Sequence, residues 1–321
     1  SYSVTGVQTC ALPICDGSLR WQRIVREEVP HEGHHRDHGF ASGSPVTDGE
    51  RVYAHFGSRG VYCLDLDGKV IWERDFGDME TRNAFGEGTS PALHGDTLVI
   101  NWDHEGDDFI VALDKRTGET RWRRERDEPT SWATPLVVEH ENRAQVIVNA
   151  TGKVRSYDLA SGEVIWECGG QTVNVIPSPV ARSGVVYVTS GFRGSALFAI
   201  GLGATGDLAG TQSILWSHHK STPYVPSPLL YGDFLYFVSG NTGMLSCFDA
   251  GSGRAHYEAE RLPGLFGIYA SPVADAGRVN VMGRDGTAVV LMTGPTLEVL
   301  ATNKLDGMVD AYLALVDDDG L

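Results

Sequence analysis

A Ser-Pro or Thr-Pro dipeptide recurs at a near-fixed period, with its proline at Pro45, Pro91, Pro135, Pro179, Pro228 and Pro272, at intervals of 46, 44, 44, 49 and 44 residues. A fixed period constrains the fold more than local propensity does, because one short unit cannot bury its own apolar faces and must stack on its neighbours. An aromatic landmark accompanies each interval: Trp72, Trp122, Trp166 and Trp216, with Tyr257 in place of a fifth and Trp21 closing an earlier unit.

Within a unit the pattern is that of strands. In the first complete one, an Asp48-Gly49 turn precedes a strand at Arg51 to Ala54, a second strand covers Val61 to Asp65, and a third covers Lys69 to Glu73 after Asp67-Gly68. The segment around Pro45 makes a fourth, and proline suits the edge of a sheet, where no ladder bond is missed for want of its N–H. Glycine at 39 and proline at 14 of 321 residues supply the turns that short strands need. The expectation is an all-β chain of four-stranded antiparallel units.

The turn between the last two strands carries the clearest signature. It reads ALDKRTGETRW at Ala112 to Trp122, SYDLASGEVIW at Ser156 to Trp166 and CFDAGSGRAHY at Cys247 to Tyr257. The Asp accepts bonds from its own turn backbone and the Gly adopts positive φ, which together make a tight hairpin. The aromatic that ends the outer strand then has a broad surface with which to dock on the next unit. Trp21, Trp72, Trp122, Trp166, Trp216 and Tyr257 are the expected docking aromatics.

This signature resembles the tryptophan-docking motif AxDxxTGxxxW of the quinoprotein (PQQ-like) propeller-repeat family, which includes quinone-dependent alcohol dehydrogenases and a lipoprotein that helps assemble outer-membrane proteins. The resemblance covers residues 16–321 and implies a β-propeller. Six complete blades are counted, with the tail of one before Phe40 and the start of another from about Asp310. The family commonly has seven or eight blades, so an eight-bladed parent is expected, incomplete here at both ends. Val4 to Ile14, VTGVQTCALPI, resembles a translated sequencing adapter, which makes 1–15 a non-native leader ahead of a single propeller domain. The Gly-rich Gly201 to Gly210 stretch lacks a GKS/T ending and reads as an extended turn.

Charge excludes some functions. There are 26 Lys and Arg against 42 Asp and Glu, a formal charge of -16, and such a field opposes association with nucleic acid or anionic lipid. No apolar run reaches the 18 residues of a membrane helix. The five cysteines form no CxxC and no adjacent pair, and Cys63 and Cys247 lie at equivalent strand positions, where a small buried hydrophobe is the ordinary role.

Ligands of propellers approach where loops from several blades converge, which directs attention to the segments before each Ser/Thr-Pro. These contain Trp132, Ile176, Tyr224 and Tyr269, with Asn174 and Arg193 nearby in connecting loops, and Trp132, Asn174, Arg193, Tyr224 and Tyr269 are the candidates for binding a partner or ligand; the competing reading is that they pack the blade entrances. His31, His34, His35 and His38 have a metal-binding composition but match no zinc-site spacing, and the acidic run Asp103, His104, Glu105, Asp107 and Asp108 has no EF-hand spacing. Both read as solvated loops, and no metal ligand is assigned. For quinone chemistry, Arg193 or Lys220 offers a cation and Asp233 a base, each with a plainer turn or surface role. No catalytic residue is assigned. The favoured function is a non-catalytic binding propeller with a protein or carbohydrate partner, periplasmic or extracellular by resemblance and open to anchoring through a missing N-terminus. The alternatives are a PQQ- and calcium-dependent oxidoreductase of alcohols or sugars, and a structural domain fused to another module.

Overall fold

A computed structural model describes residues 5–11, 18–40, 42–311 and 313. Six four-stranded antiparallel sheets follow one another along the chain, at 46–74, 92–125, 136–168, 180–218, 229–261 and 273–304. They are the blades, I to VI, of a β-propeller, each with its strands in sequence order. Ahead of them Thr5–Ala11 pairs antiparallel with Trp21–Glu28. The described residues group into two compact units, one of 5–137 with 158–163 and the other of 138–157 with 164–313. No helix among the described residues is long and apolar enough to cross a membrane.

Blades bury both faces, so their central strands are mostly apolar, with a few buried polar residues such as Asn101, Gln145 and Ser156 among them. Between blades I and II, Tyr53, Cys63 and Trp72 meet Leu98, Ile100 and Phe109, and between V and VI, Tyr236 and Cys247 meet Val279 and Val289. Burial pushes the Cys63 thiol up to about 11 and that of Cys247 to about 12, as expected of packed rather than reactive cysteines.

The hairpin signature has a double purpose. At Asp114 the carboxylate accepts the N–H groups of Arg116 and Thr117 at 2.9 and 3.2 Å, and Gly118, at φ +69, donates its own N–H to Asp114 O at 2.8 Å. The same glycine lies flat under the preceding blade's tryptophan: a Cβ at Gly118 would come within 2.7 Å of the Trp72 ring. The Trp72 indole N–H donates to Lys115 O at 2.9 Å. Trp21 stands over Gly68 and bonds Leu66 O, Trp122 over Gly162 and Leu159 O, and Trp216 over Gly253 and Ala250 O. Tyr257 is partly buried in the core of blades V and VI.

Trp166 departs from this scheme. It is fully buried but its indole N–H has no partner. Here the expected extended turn at 201–210 contributes a fifth strand instead: Gly206–Asp207 pairs parallel with Trp166 and Glu167, and Leu202 and Leu208 are buried. The enlarged hairpin therefore holds blade III by strand pairing where the other docking hairpins use an indole hydrogen bond.

The Ser/Thr-Pro repeat also acts between neighbours. Ser44 N–H donates to Ser90 Oγ at 2.8 Å and Ser90 N–H to Thr134 Oγ1 at 3.2 Å; in the other unit Ser178 N–H reaches Ser227 Oγ and Ser227 N–H reaches Ser271 Oγ, both at 2.9 Å. Each hydroxyl thus satisfies a backbone donor of the blade before it, an obligation that a buried strand end must meet.

Candidate functional site

In the first unit, strand Trp21–Glu28 continues into the histidine-rich segment, which the His35 N–H fastens to Phe85 O at 3.0 Å. His31 Nε2 lies 2.7 Å from Met79 O. A carbonyl only accepts, so Nε2 carries the hydrogen and Nδ1 the lone pair. That lone pair receives Arg59 Nη2 at 2.5 Å, and Arg59 also pairs with Glu28 and, at 3.2 Å, with Asp78. Glu32 accepts the Thr81 N–H at 3.2 Å and its hydroxyl at 2.5 Å. Glu87 accepts the Ser58 N–H at 2.7 Å and the Ser58 hydroxyl. Its carboxylate fills the place of a missing side chain, since a Cβ on Gly57 would lie 1.5 Å from Glu87 Oε2.

One ligand atom each from His31, Glu32 and Glu87 lies within 4.8 Å of the other two, in a shallow cleft bounded by Phe40, Phe56 and Arg59. Burial pushes the Glu87 carboxyl above its ordinary range. A loop read as solvated thus brings two of its residues against a carboxylate from beyond blade I. Sequence reasoning missed Glu87 altogether.

A second cleft shares Phe40, Phe56 and Glu87 and has Trp132 in its wall. Trp132 is buried, and its indole N–H donates to Gly86 O at 2.7 Å. His55, only 3% exposed, places Nδ1 3.0 Å from Thr89 O and leaves Nε2 without a partner. Burial holds its pKa down at about 4. Beneath lies a fully buried ion pair, with Arg126 Nε 2.6 Å from Asp103 Oδ1, and the Ser131 hydroxyl also donates to Asp103. The acidic run is therefore not simply a solvated loop. Asp103, His104 and Asp108 are buried because they organise the 126–131 segment, with Asp108 accepting the Glu128 N–H at 2.8 Å; Glu105 and Asp107 remain exposed.

In the second unit Phe192 gathers three of the candidates. Its ring stacks on Tyr224 at 4.8 Å, and the Arg193 guanidinium stands 5.3 Å from its centroid. The buried Asn174 lies near the Tyr224 hydroxyl, and its Oδ1 has no partner. Tyr269 instead lies under Arg284, whose guanidinium is 4.1 Å from the ring and paired with Asp310. Trp132 belongs to the other unit. Phe192 was missed, although an aromatic between Gly191 and Arg193 in a loop is a visible signal.

A quinone held with calcium needs a planar slot and carboxylate ligands. Phe192 and Tyr224 cover each other's faces, and none of Asn174, Arg193, Tyr224 and Tyr269 is a carboxylate, so these four do not fit that cofactor. Nor do Lys220 and Asp233 form a pair. Asp233 immediately precedes the strand Phe234–Val238, whereas Thr222, two residues after Lys220, accepts the Gly240 N–H beyond its far end, a separation of roughly 20 Å at about 3.3 Å per residue.

The family model for the outer membrane protein assembly factor BamB matches residues 7–257. The chain belongs to this family. Among curated proteins, the assembly factor BamB of Alteromonas naphthalenivorans is 26% identical over 262 residues, which are 76% of this chain and 59% of that protein. Methanol dehydrogenase [cytochrome c] subunit 1 of Paracoccus denitrificans is 28% identical over 146 residues, 40% of this chain and 23% of the dehydrogenase. The chain thus spans about three fifths of one relative and a quarter of the other. Two solved structures share the fold: BamB from Moraxella catarrhalis, with a TM-score of 0.68 at 16% identity over 98% of this chain and 95% of that one, and quinohemoprotein alcohol dehydrogenase from Comamonas testosteroni, with 0.64 at 12% over 97% and 66%. The BamB family and the PQQ-like dehydrogenases use one blade architecture, so the blades alone do not choose between them.

Proposed function

We propose that the chain is a binding propeller of the extracytoplasmic compartment that holds a protein partner during assembly of outer-membrane proteins. The observation that carries this reading is the extent of the match: the assembly-factor family model runs through residues 7–257, whereas the dehydrogenase match covers 40% of the chain. Phe192, Arg193 and Tyr224 supply a cation and stacked aromatics of the kind that anchor protein interfaces, and Asn174 Oδ1 offers an acceptor without a donor. A photo-crosslinking residue at position 193 or 224, placed in the host bacterium, is expected to trap a component of the outer-membrane assembly machinery. Tyr224→Ala should abolish the adduct with the melting temperature of the chain unchanged. No adduct from either position, together with normal outer-membrane protein levels in a deletion strain, overturns the proposal.

The second reading, a PQQ-dependent oxidoreductase acting on alcohols or sugars, is favoured by the 28% identity to the methanol dehydrogenase subunit. Incubation with the quinone and calcium would then give a bound-cofactor absorbance and dye-linked alcohol oxidation. Absence of binding at saturating quinone sinks it.

A further inference from the structure

We propose that His31, Glu32 and Glu87 form a binding site for a divalent transition-metal ion, with zinc as the best-suited occupant. The ligand atoms, one imidazole nitrogen and two carboxylate oxygens, already lie within 4.8 Å of one another at the edge of a cleft. Three protein ligands leave a position open for water, and a nitrogen ligand beside oxygen selects zinc and its neighbours over calcium or magnesium.

Three features distinguish this group from a casual surface cluster. The first is orientation: each ligand side chain is fixed by hydrogen bonds from a defined partner. His31 donates Nε2–H to Met79 O, the arrangement that fixes a metal-binding imidazole and presents Nδ1. Glu32 is held by the N–H and hydroxyl of Thr81, and Glu87 by those of Ser58, so both carboxylates are positioned from a separate loop. The second is charge. Arg59 pairs with Glu28 and Asp78, reaches His31 Nδ1 and acts electrostatically on the Glu87 carboxyl, making it the resident cation at the imidazole, while Glu28 is also paired with Arg26. A divalent ion at Nδ1 replaces that contact, while Arg59 retains Glu28 and Asp78. The third is His55 in the adjoining cleft, which Glu87 also lines: its buried Nε2 has a lone pair and no donor. The consequence for the fold is that the ion would clamp the 29–40 segment to blades I and II.

The experiment uses the full chain stripped with a chelator and titrated with zinc by calorimetry, with calcium and magnesium as comparators and cobalt as a spectroscopic probe. One zinc per chain is expected, not displaced by excess calcium or magnesium, with a cobalt absorption band from a low-coordinate site and a zinc-dependent rise in melting temperature. His31→Ala and Glu87→Gln should each weaken binding about 100-fold and Thr81→Ala about tenfold. Arg59→Met should tighten it, because the competing guanidinium is gone; a purely structural ion-pair cluster would show no such gain. Glu87→Asp, which keeps the carboxylate, guards against loss by misfolding and should retain partial affinity, with circular dichroism reporting the fold of every variant. The proposal is overturned if the wild type takes up no zinc, or if His31→Ala and Glu87→Gln bind as the wild type does while removal of His34, His35 and His38 abolishes uptake.

Discussion

Replacing Gly118 by alanine separates the two purposes of the hairpin glycine. Gly118 has φ +69, and a Cβ there would come within 2.7 Å of the Trp72 ring; Gly95, in another turn of the same blade, has φ +53 with nothing within 4 Å of its Cβ position. Gly95→Ala therefore costs only the left-handed backbone penalty, about 1–2 kcal/mol. Gly118→Ala incurs the same penalty and in addition displaces Trp72, an 8% exposed side chain bonded to Lys115 O at 2.9 Å. Loss of that hydrogen bond is worth about 1 kcal/mol. Loosening of the ring contact adds about 1–2 kcal/mol. The total is about 3–5 kcal/mol, and the difference between the two variants, about 2–3 kcal/mol, measures the docking alone. Urea unfolding of both, followed by far-UV circular dichroism, gives the comparison, with amide exchange in blade II as a local readout. A cycle with Trp72→Ala completes it: without the indole, Gly118→Ala should cost no more than Gly95→Ala. Equal costs for the two glycines, or additivity in the cycle, would refute the docking argument.

Two further outcomes follow from buried charge. Asp103→Ala leaves the Arg126 guanidinium buried and unpaired and should destabilise by about 3–5 kcal/mol, much of which a double replacement by apolar residues of similar size restores; a loss under about 1 kcal/mol in the single variant would show that water reaches the pair. His55 is held neutral in the folded chain, with its pKa depressed from 6.5 to about 4. Its contribution is complete above pH 6.5 and is lost as the pH falls from there towards 4, by about 3 kcal/mol in all. His55→Gln should flatten the stability profile over that window, and an unchanged slope would assign the acid sensitivity to other groups.

The blades were legible because their chemistry is local: an Asp, a Gly and an aromatic within one hairpin specify a turn whatever lies around it. The insertion at 201–210 was not, because a Gly-rich stretch has no side chains to declare which strand its backbone will join, and it joined Trp166 and Glu167. Asp103 was misread for a related reason. Its position in an acidic run suggested solvent, and only the partner across the loop, Arg126, makes burial tolerable.

The candidate site failed to show for a different reason, which points to how such sites can be found. In a stacked repeat, equivalent positions of successive blades lie side by side, so contacts recur at about one period along the chain. Trp132 bonds a carbonyl 46 residues away, Ser44 a hydroxyl at 46, Trp72 a carbonyl at 43, His31 a carbonyl at 48 and Glu32 a threonine at 49. A motif search that looks for ligands within a dozen residues of His31 therefore looks in the wrong place. Shifting the histidine tract by one repeat lands it on the segment from Asp78 to Glu87, which contains the carboxylate and both hydroxyl- and carbonyl-bearing partners that the tract meets. Chemistry in a propeller is thus written in pairs of loops about one period apart, and a reading that overlays the repeats before seeking constellations would have put the segment around Met79 and Thr81 beside His31 and Glu32 from the sequence alone, with Glu87 a few residues further along the same loop.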